Sequence, residues 1–102
     1  MPGIARKGDL SVGSDGGAPT ALTFLNQATK TYINGKLIGL VGDQFEQHTV
    51  PIAIVHSGSQ RQITDGSSTM FFEGKQVARG GDPIADGDII DENSVSTDAF
   101  AG

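Results

Sequence analysis

A short hairpin-like motif recurs along the chain. Residues 32–44, YINGKLIGLVGDQ, and residues 70–83, MFFEGKQVARGGDP, each combine an apolar run, a turn, a second short run and a closing Gly-Asp. A partial third copy, GIARKGD, occupies residues 3–9. Repeats of this length are typical of supersecondary units that bury their apolar faces only against one another. We therefore expect an assembly of repeated hairpins.

The turn residues of the two longer copies indicate how each hairpin closes. Asn34-Gly35 is a strong short-range hairpin signal, because both central residues of a type I′ turn need positive φ. Glu73-Gly74 stands at the same place in the other copy and is a less favourable version of the same turn. The predicted strand pairs are 29–33 with 36–41 and 69–72 with 76–79.

Each copy ends in an aspartate that follows a glycine. These residues are Asp9, Asp43 and Asp82. Glycine allows a tight backbone turn, and an aspartate beside it can accept hydrogen bonds from nearby backbone N–H groups. We interpret the three aspartates as structural turn residues rather than as catalytic groups.

The first copy holds only the second half of a hairpin, and the missing half is found at the other end of the chain. Residues 96–102 match residues 68–74 at Ser, Thr, Phe and Gly. If this segment pairs with residues 4–7, the open edge of the first copy is covered. The chain then closes into three hairpins around a pseudo-threefold axis. The fold class is mainly β, with the C-terminal strand completing the N-terminal repeat.

The stretch from Pro19 to Thr29 does not reveal its secondary structure. Ala21, Leu22 and Leu25 lie at helical spacing, and Pro19 could occupy a first helical turn. An extended strand is an equally good interpretation of these residues. Both alternatives stay open at this point.

Length and composition limit what these hairpins can build. The 102 residues predict one small domain, 1–102, with a thin core, because Val, Ile, Leu and Phe supply only 25 residues. Cysteine is absent, which excludes disulfides and thiolate metal ligands. No apolar run is long enough for a membrane span, and no signal peptide is recognisable, so we expect a soluble protein. The net charge of −5 argues against a nucleic-acid partner.

The three Gly-Asp segments resemble degenerate copies of the Pro-Ala-Ala-Arg motif. They are GIARKGD, INGKLIGLVGD and FEGKQVARGGD, and a Gly66-Ser67 pair precedes the last of them, as in PAAR-repeat proteins. The resemblance extends from Gly3 to Gly102. It departs from the motif at Ile4, at Leu40 in place of an arginine, and at Gln76-Val77 in place of Pro-Ala.

The resemblance implies a structural spike tip without enzymatic activity. PAAR-repeat proteins are cones of short β-hairpins that sharpen the central spike of contractile phage tails and type VI secretion systems for piercing the target cell envelope. The implied partner is a trimeric β-helix spike protein, with one copy of the cap per trimer. Apolar residues of the hairpins would form the contact, with Ile33, Phe71 and Phe72 as candidates.

The resemblance leaves the choice of machine open. The protein would lie in the virion, at the spike tip of a tail baseplate assembled in the host cytoplasm, or in the bacterial cytoplasm before secretion by a contractile apparatus. A chain without an effector extension slightly favours the phage tail.

The resemblance also implies one metal ion at the tip, usually held by histidines and a cysteine. Only two histidines are present, His48 and His56, and both follow the second Gly-Asp. A ligand after the third Gly-Asp would fall near Asp86. Imidazole and carboxylate groups suit zinc or iron, so His48, His56 and Asp86 form the candidate metal site.

Two other functional classes were weighed. A metallohydrolase or acid-base enzyme could use two histidines, but the recognisable catalytic motifs are absent and a small β domain leaves little room for a pocket. A free-standing β module that recognises a cell-surface ligand such as a sugar is the alternative to the spike tip. The scarcity of suitable aromatics, one Tyr and no Trp, argues against it.

Overall fold

Short antiparallel strands make up the regular structure of the protein. The computed structural model describes residues 2–13, 19–24, 31–49, 55–56 and 61–102, and none of these is helical. No helix capable of spanning a membrane is found among them. The molecule is elongated, with extents of 37 × 24 × 23 Å. The strands are β1 (Ser11–Val12), β2 (Leu22–Phe24), β3 (Tyr32–Ile33), β4 (Lys36–Leu37), β5 (Gln44–Phe45), β6 (His48–Thr49), β7 (Val55–His56), β8 (Phe71–Phe72), β9 (Lys75–Gln76) and β10 (Ile89–Ile90).

The two predicted hairpins are confirmed. β3 pairs with β4 across Asn34-Gly35, and β8 pairs with β9 across Glu73-Gly74. All four turn residues have positive φ, at 55° and 76° in the first turn and 53° and 83° in the second. Such values are those of a type I′ turn, whose twist matches that of the flanking strands. Glu73 therefore adopts a conformation that non-glycine residues rarely take.

The third hairpin is assembled from the two ends of the described chain, as predicted, but in a different register. Gly3 pairs with Phe100. On either side of this pair, the Ile4 N–H donates to the Ala99 carbonyl (2.9 Å) and the Ala101 N–H donates to the Pro2 carbonyl (3.0 Å). The pairing thus involves residues 2–4 rather than the expected 4–7.

The predicted equivalence of residues 96–102 with residues 68–74 is wrong by one position. Ser67 Oγ accepts from the N–H groups of Thr69 and Met70, and Ser96 Oγ accepts from those of Asp98 and Ala99. Ser96 is therefore equivalent to Ser67. The prediction aligned the Ser-Thr pairs of the two segments. In the structure, the equivalent residues are instead the two serines whose side chains cap the turns.

The three copies meet in a closed ring of backbone hydrogen bonds. The Ala5 N–H donates to the Ala78 carbonyl (2.9 Å), the Ala78 N–H to the Gly39 carbonyl (3.0 Å), and the Gly39 N–H to the Ala5 carbonyl (2.9 Å). Three bridges surround this ring with the same rotation between copies. They join Ile4 to Arg79, Arg6 to Ile38, and Leu40 to Val77. The pseudo-threefold axis passes through the ring.

A second layer repeats the threefold arrangement beyond the Gly-Asp turns. In each copy the chain leaving the aspartate pairs with a returning segment of the preceding copy. β5 pairs with β2, and β1 pairs with β10. For the third copy, Ile63 and Ile84 form the corresponding bridge. We call this the upper layer and the hairpins the lower layer.

The pairing of β2 settles the open question on residues 19–29 in part. Leu22 and Phe24 lie opposite Phe45 and Gln44, so residues 22–24 form a strand and not a helix. Long-range pairing with the second copy outweighs the local helical spacing, which is a weak preference in a short segment. Residues 25–29 of the predicted stretch lie outside the described residues.

Each layer has its own apolar cluster. The lower cluster packs the inward side chains of the hairpins around the axis, with Ile33, Met70, Phe72 and Ala99 partly buried against it. The upper cluster packs beneath the second layer of strands. The buried lower members are Ile4, Ile38, Leu40, Val77 and Ala101. The buried upper members are Ala5, Leu22, Phe45, Ile63, Ala78, Ile84, Ile90 and Val95.

Two buried glycines should respond differently to a single added methyl group. A Cβ at Gly66 would lie 2.5 Å from the backbone carbonyl oxygen of Val77, whereas one at Gly39 would meet the Leu22 Cδ2 atom at 2.9 Å. Backbone cannot yield as a side chain can, so Gly66→Ala should lower the free energy of unfolding by about 2 kcal/mol or more. Gly39→Ala should cost less than half as much, since the equivalent ring residues are alanine. Urea unfolding monitored by circular dichroism measures both; equal losses would contradict the packing described here.

Candidate functional site

Three equivalent turns connect the lower layer to the upper layer. In each, the aspartate carboxylate accepts a hydrogen bond from the backbone N–H three residues earlier, and its own N–H donates back to that residue's carbonyl. The glycine before the aspartate has φ between 87° and 100°. The carboxylate bonds join Asp9 to Arg6 (2.7 Å), Asp43 to Leu40 (2.8 Å) and Asp82 to Arg79 (2.7 Å). All three aspartates are buried, so each satisfies a backbone donor that water reaches poorly.

In two of the turns an arginine adds an ion pair to the aspartate. Arg6 Nη2 lies 3.1 Å from Asp9 Oδ1, and Arg79 Nη2 lies 2.8 Å from Asp82 Oδ1. The hydrogen bonds that Arg79 donates to the Asp82 carboxylate raise the pKa of Arg79 above its ordinary value, so this side chain stays charged. In the second copy Leu40 occupies the arginine position and is fully buried in the lower cluster. The motif departure there is explained by packing.

In each hairpin, one strand leads into the central ring, and we call the other strand the outer strand. Each outer strand has one residue whose backbone N–H and C=O groups point away from its partner strand. Val77 donates to the Met70 carbonyl and Ile38 to the Thr31 carbonyl, so these are hydrogen-bonded pairs. In an antiparallel ladder the adjacent pair is not hydrogen-bonded, and its N–H and C=O groups point outward. The outward-facing residues are Tyr32, Phe71 and Phe100, one in each copy.

The same three residues carry exposed aromatic rings. Tyr32, Phe71 and Phe100 are 60%, 54% and 43% exposed. An exposed ring therefore recurs at the equivalent position of each of the three copies. We call these three residues the edge aromatics.

The neighbouring position on each outer strand faces inward. Ile33 and Phe72 are partly buried against the lower cluster, and the equivalent residue in the third hairpin is the buried Ala101. Of the three predicted contact residues, Phe71 is therefore an edge aromatic, whereas Ile33 and Phe72 are partly buried against the lower cluster; their part in a contact stays a prediction.

A family model for the PAAR motif matches residues 19–91. The chain belongs to the PAAR-motif family. No curated protein matches it at a significant level.

Membership of the PAAR-motif family fixes the general role of the fold. PAAR-motif proteins form spike tips in contractile injection machines, including type VI secretion systems and phage tails, and they are structural proteins rather than enzymes. The turn aspartates fit this role, because their carboxylates are engaged with backbone donors inside the domain.

The two histidines of this PAAR-motif protein lie opposite each other. β6 pairs with β7 in antiparallel register, and His48 is the direct partner of His56. Directly opposed residues of an antiparallel pair are close neighbours. The backbone therefore brings together the two predicted histidine ligands.

The third predicted ligand, Asp86, forms an ion pair. Its Oδ2 atom lies 2.6 Å from Nη1 of the buried Arg61. Within the described ranges, no group of three or more His, Cys, Asp or Glu side chains is arranged to hold a metal ion. In the structure, Asp86 is paired with Arg61, and its role as a third metal ligand stays a prediction. A metal on His48 and His56 stays a prediction.

Sequence reasoning did not single out Tyr32, Phe100 or Arg61. The first two could have been found by placing the three outer strands in the register set by Ser67 and Ser96. Arg61 carried no signal, because an isolated arginine between repeats ordinarily lies at the surface.

Asp43 tests the turn carboxylate in the copy whose motif position holds the buried Leu40 instead of an arginine. Asp43→Ala removes the acceptor of the Leu40 N–H and should lower the free energy of unfolding by about 1–3 kcal/mol. Asp43→Asn keeps a side-chain carbonyl oxygen at the same place and should cost less than half of that. Chemical denaturation of both variants gives the comparison; an alanine variant as stable as the asparagine one would show that the turn does not depend on this acceptor.

The metal prediction is tested by elemental analysis of the purified protein. About one zinc or iron per chain, lost in His48→Ala/His56→Ala, is the expected result if the opposed histidines bind a metal. Inductively coupled plasma mass spectrometry of the wild type, the double variant and Asp86→Asn measures it. Absence of metal from the wild type would leave the tip to hold its shape by packing and ion pairs.

Proposed function

We propose that this protein caps the end of a trimeric β-helical spike, with one copy per trimer, and forms the point that pierces the target cell envelope. The observation that carries this proposal is the set of edge aromatics. Each hairpin offers one residue with an exposed ring and with backbone groups turned away from its partner strand.

Threefold repetition suits this partner. The three hairpins are related by the rotation that also relates the bonds of the central ring. A trimer of identical subunits presents the same surface three times around its axis. A single chain with three similar edges can meet all three subunits with similar contacts, whereas a chain without internal repetition could match only one.

Strand edges are the chemical complement of the end of a β-helix. The last coil of a β-helix leaves unpaired backbone N–H and C=O groups, which favour pairing with another strand. Outward-facing backbone at positions 32, 71 and 100 supplies such partners, and main-chain pairing of this kind is a recurrent recognition mode. The aromatic rings beside these groups add apolar contact area without a large loss of side-chain freedom.

Mechanical action follows from this placement. The edge aromatics lie in the lower layer, which leaves the upper layer on the far side of the central ring to face the target. A narrow tip concentrates the force of sheath contraction on a small area of the envelope. The same geometry serves a phage tail or a bacterial secretion apparatus.

Stoichiometry is the decisive test of the cap. Mixed with the trimeric spike protein of its own machine, the chain should form a complex of one copy with three spike chains. Native mass spectrometry or light scattering of the purified complex measures this ratio. A complex of three copies with three chains, or no association, would overturn the proposal.

Substitutions of the edge aromatics locate the contact within the same experiment. The triple variant Tyr32→Ser/Phe71→Ser/Phe100→Ser should weaken association at least about 100-fold, since three exposed rings are lost, while thermal stability changes little. Leu10→Ser/Val12→Ser/Ile89→Ser is the control, because these three side chains are the exposed large apolar ones among the described residues of the upper layer. Phe72→Asp should instead lower stability by placing a charge against the lower cluster. Equal association by the triple variant and the control would place the contact elsewhere.

A further inference from the structure

Arg61 is the largest fully buried side chain of the described residues, and its guanidinium is surrounded by oxygen atoms. Nη1 lies 2.6 Å from Asp86 Oδ2 and 3.0 Å from Asp88 Oδ2. Nη2 donates to Ser11 Oγ and, at 3.1 Å, to Thr20 Oγ1. The Phe45 ring lies on one side, with its centroid 6.0 Å from Cζ. We call Ser11, Thr20, Arg61, Asp86 and Asp88 the Arg61 cluster.

The cluster joins all three copies of the repeat. Thr20, Arg61 and Asp88 occupy equivalent backbone positions, because their carbonyls accept from Ser11, Phe45 and Ile84, each two residues after a turn aspartate. One hydroxyl, one guanidinium and one carboxylate therefore converge from the three copies. The Arg61 cluster therefore links the three copies in the upper layer, and the backbone ring links them at the axis.

Burial makes the cation necessary to this arrangement. Asp86 and Asp88 are as inaccessible as Arg61, with side chains 2% and 4% exposed. Two carboxylates removed from water repel each other unless a positive charge lies between them. A guanidinium meets this need better than an ammonium would, because its planar fork donates to several oxygens at once. Gly13 leaves room for the carboxylate, since a side chain there would overlap Asp88.

We propose that Ser11, Thr20, Asp86 and Asp88 form an internal cation site whose occupant is the guanidinium of Arg61. In this protein the upper layer is held together by that side chain, and Asp86 serves the guanidinium rather than a metal ion. The site would accept a free guanidinium-type cation if Arg61 were shortened. This inference concerns the stability of the upper layer and does not depend on the partner at the lower layer.

Substitutions distinguish a bound cation from an arginine that merely fills space. Arg61→Met keeps the apolar stem and leaves two buried carboxylates without their cation, so the melting temperature should fall by at least about 10 °C. Arg61→Met/Asp86→Asn/Asp88→Asn removes the stranded charges and should recover more than half of that loss. Arg79→Met is the matched control, because it breaks an Arg–Asp pair that is partly exposed and should cost less than half as much.

Chemical rescue tests the site directly. Methylguanidinium, at millimolar concentrations below the denaturing range, should raise the melting temperature of Arg61→Ala in a saturable manner, whereas sodium chloride at equal ionic strength should not. The rescue should be absent from Arg61→Ala/Asp86→Asn/Asp88→Asn. If either arginine variant fails to fold, its charge-free counterpart still reports whether the carboxylates are the cause.

Three results would overturn the proposal. One is a stable Arg61→Met protein, which would make Arg61 a space-filling residue. Another is an equally unstable charge-free triple variant, which would assign the loss to packing. The third is a wild type whose melting temperature falls on addition of a chelator while Asp86→Asn shows no such fall, because Asp86 would then be a metal ligand. Binding to the spike is a separate readout, so failure here leaves the cap proposal untouched.

Discussion

Everything in this fold depends on the closed ring of hydrogen bonds between Ala5, Gly39 and Ala78. These residues bring three backbones together at one point, and their side chains are no larger than a methyl group, so the strands can approach closely. Residues far apart in sequence must arrive together before the ring closes, which makes its formation costly in chain entropy. The hairpins offset that cost in part, since each is fixed locally by its own turn.

On either side of the ring the two layers obey different constraints. The lower layer keeps its threefold character in backbone pairing and in the edge aromatics, which matches the proposed contact with three identical chains. The upper layer keeps the backbone pattern but not the side chains, because Thr20, Arg61 and Asp88 are chemically unlike. The proposed spike contact lies on the lower layer only. In the upper layer, the three copies can therefore contribute different side chains to the Arg61 cluster.

Local chemistry explains which parts of this structure could be predicted from the sequence. Asn34-Gly35, Glu73-Gly74 and the glycine before each aspartate fix backbone angles within a few residues, and so the hairpins and the equivalence of the copies were predicted. Long-range pairing set the rest. Leu22–Phe24 is a strand because the second copy offers it an edge, and Arg61 is buried because segments from two other copies bring oxygens to it. Neither feature can be predicted from a few neighbouring residues of the sequence.

The third edge aromatic takes its place only when the fold closes. Phe100 is an edge aromatic only when residues 99–101 lie against residues 2–4, and Ser67 of the third copy holds this segment by donating to the Gly102 carbonyl. Asn34 of the second copy reaches the same segment through Ser96 and Asp98. The third edge is thus held by the two hairpins that carry the other edges. A domain that has not closed its ring has only two of the three edges, so under the proposed cap arrangement stable binding to a trimer requires the fully folded chain.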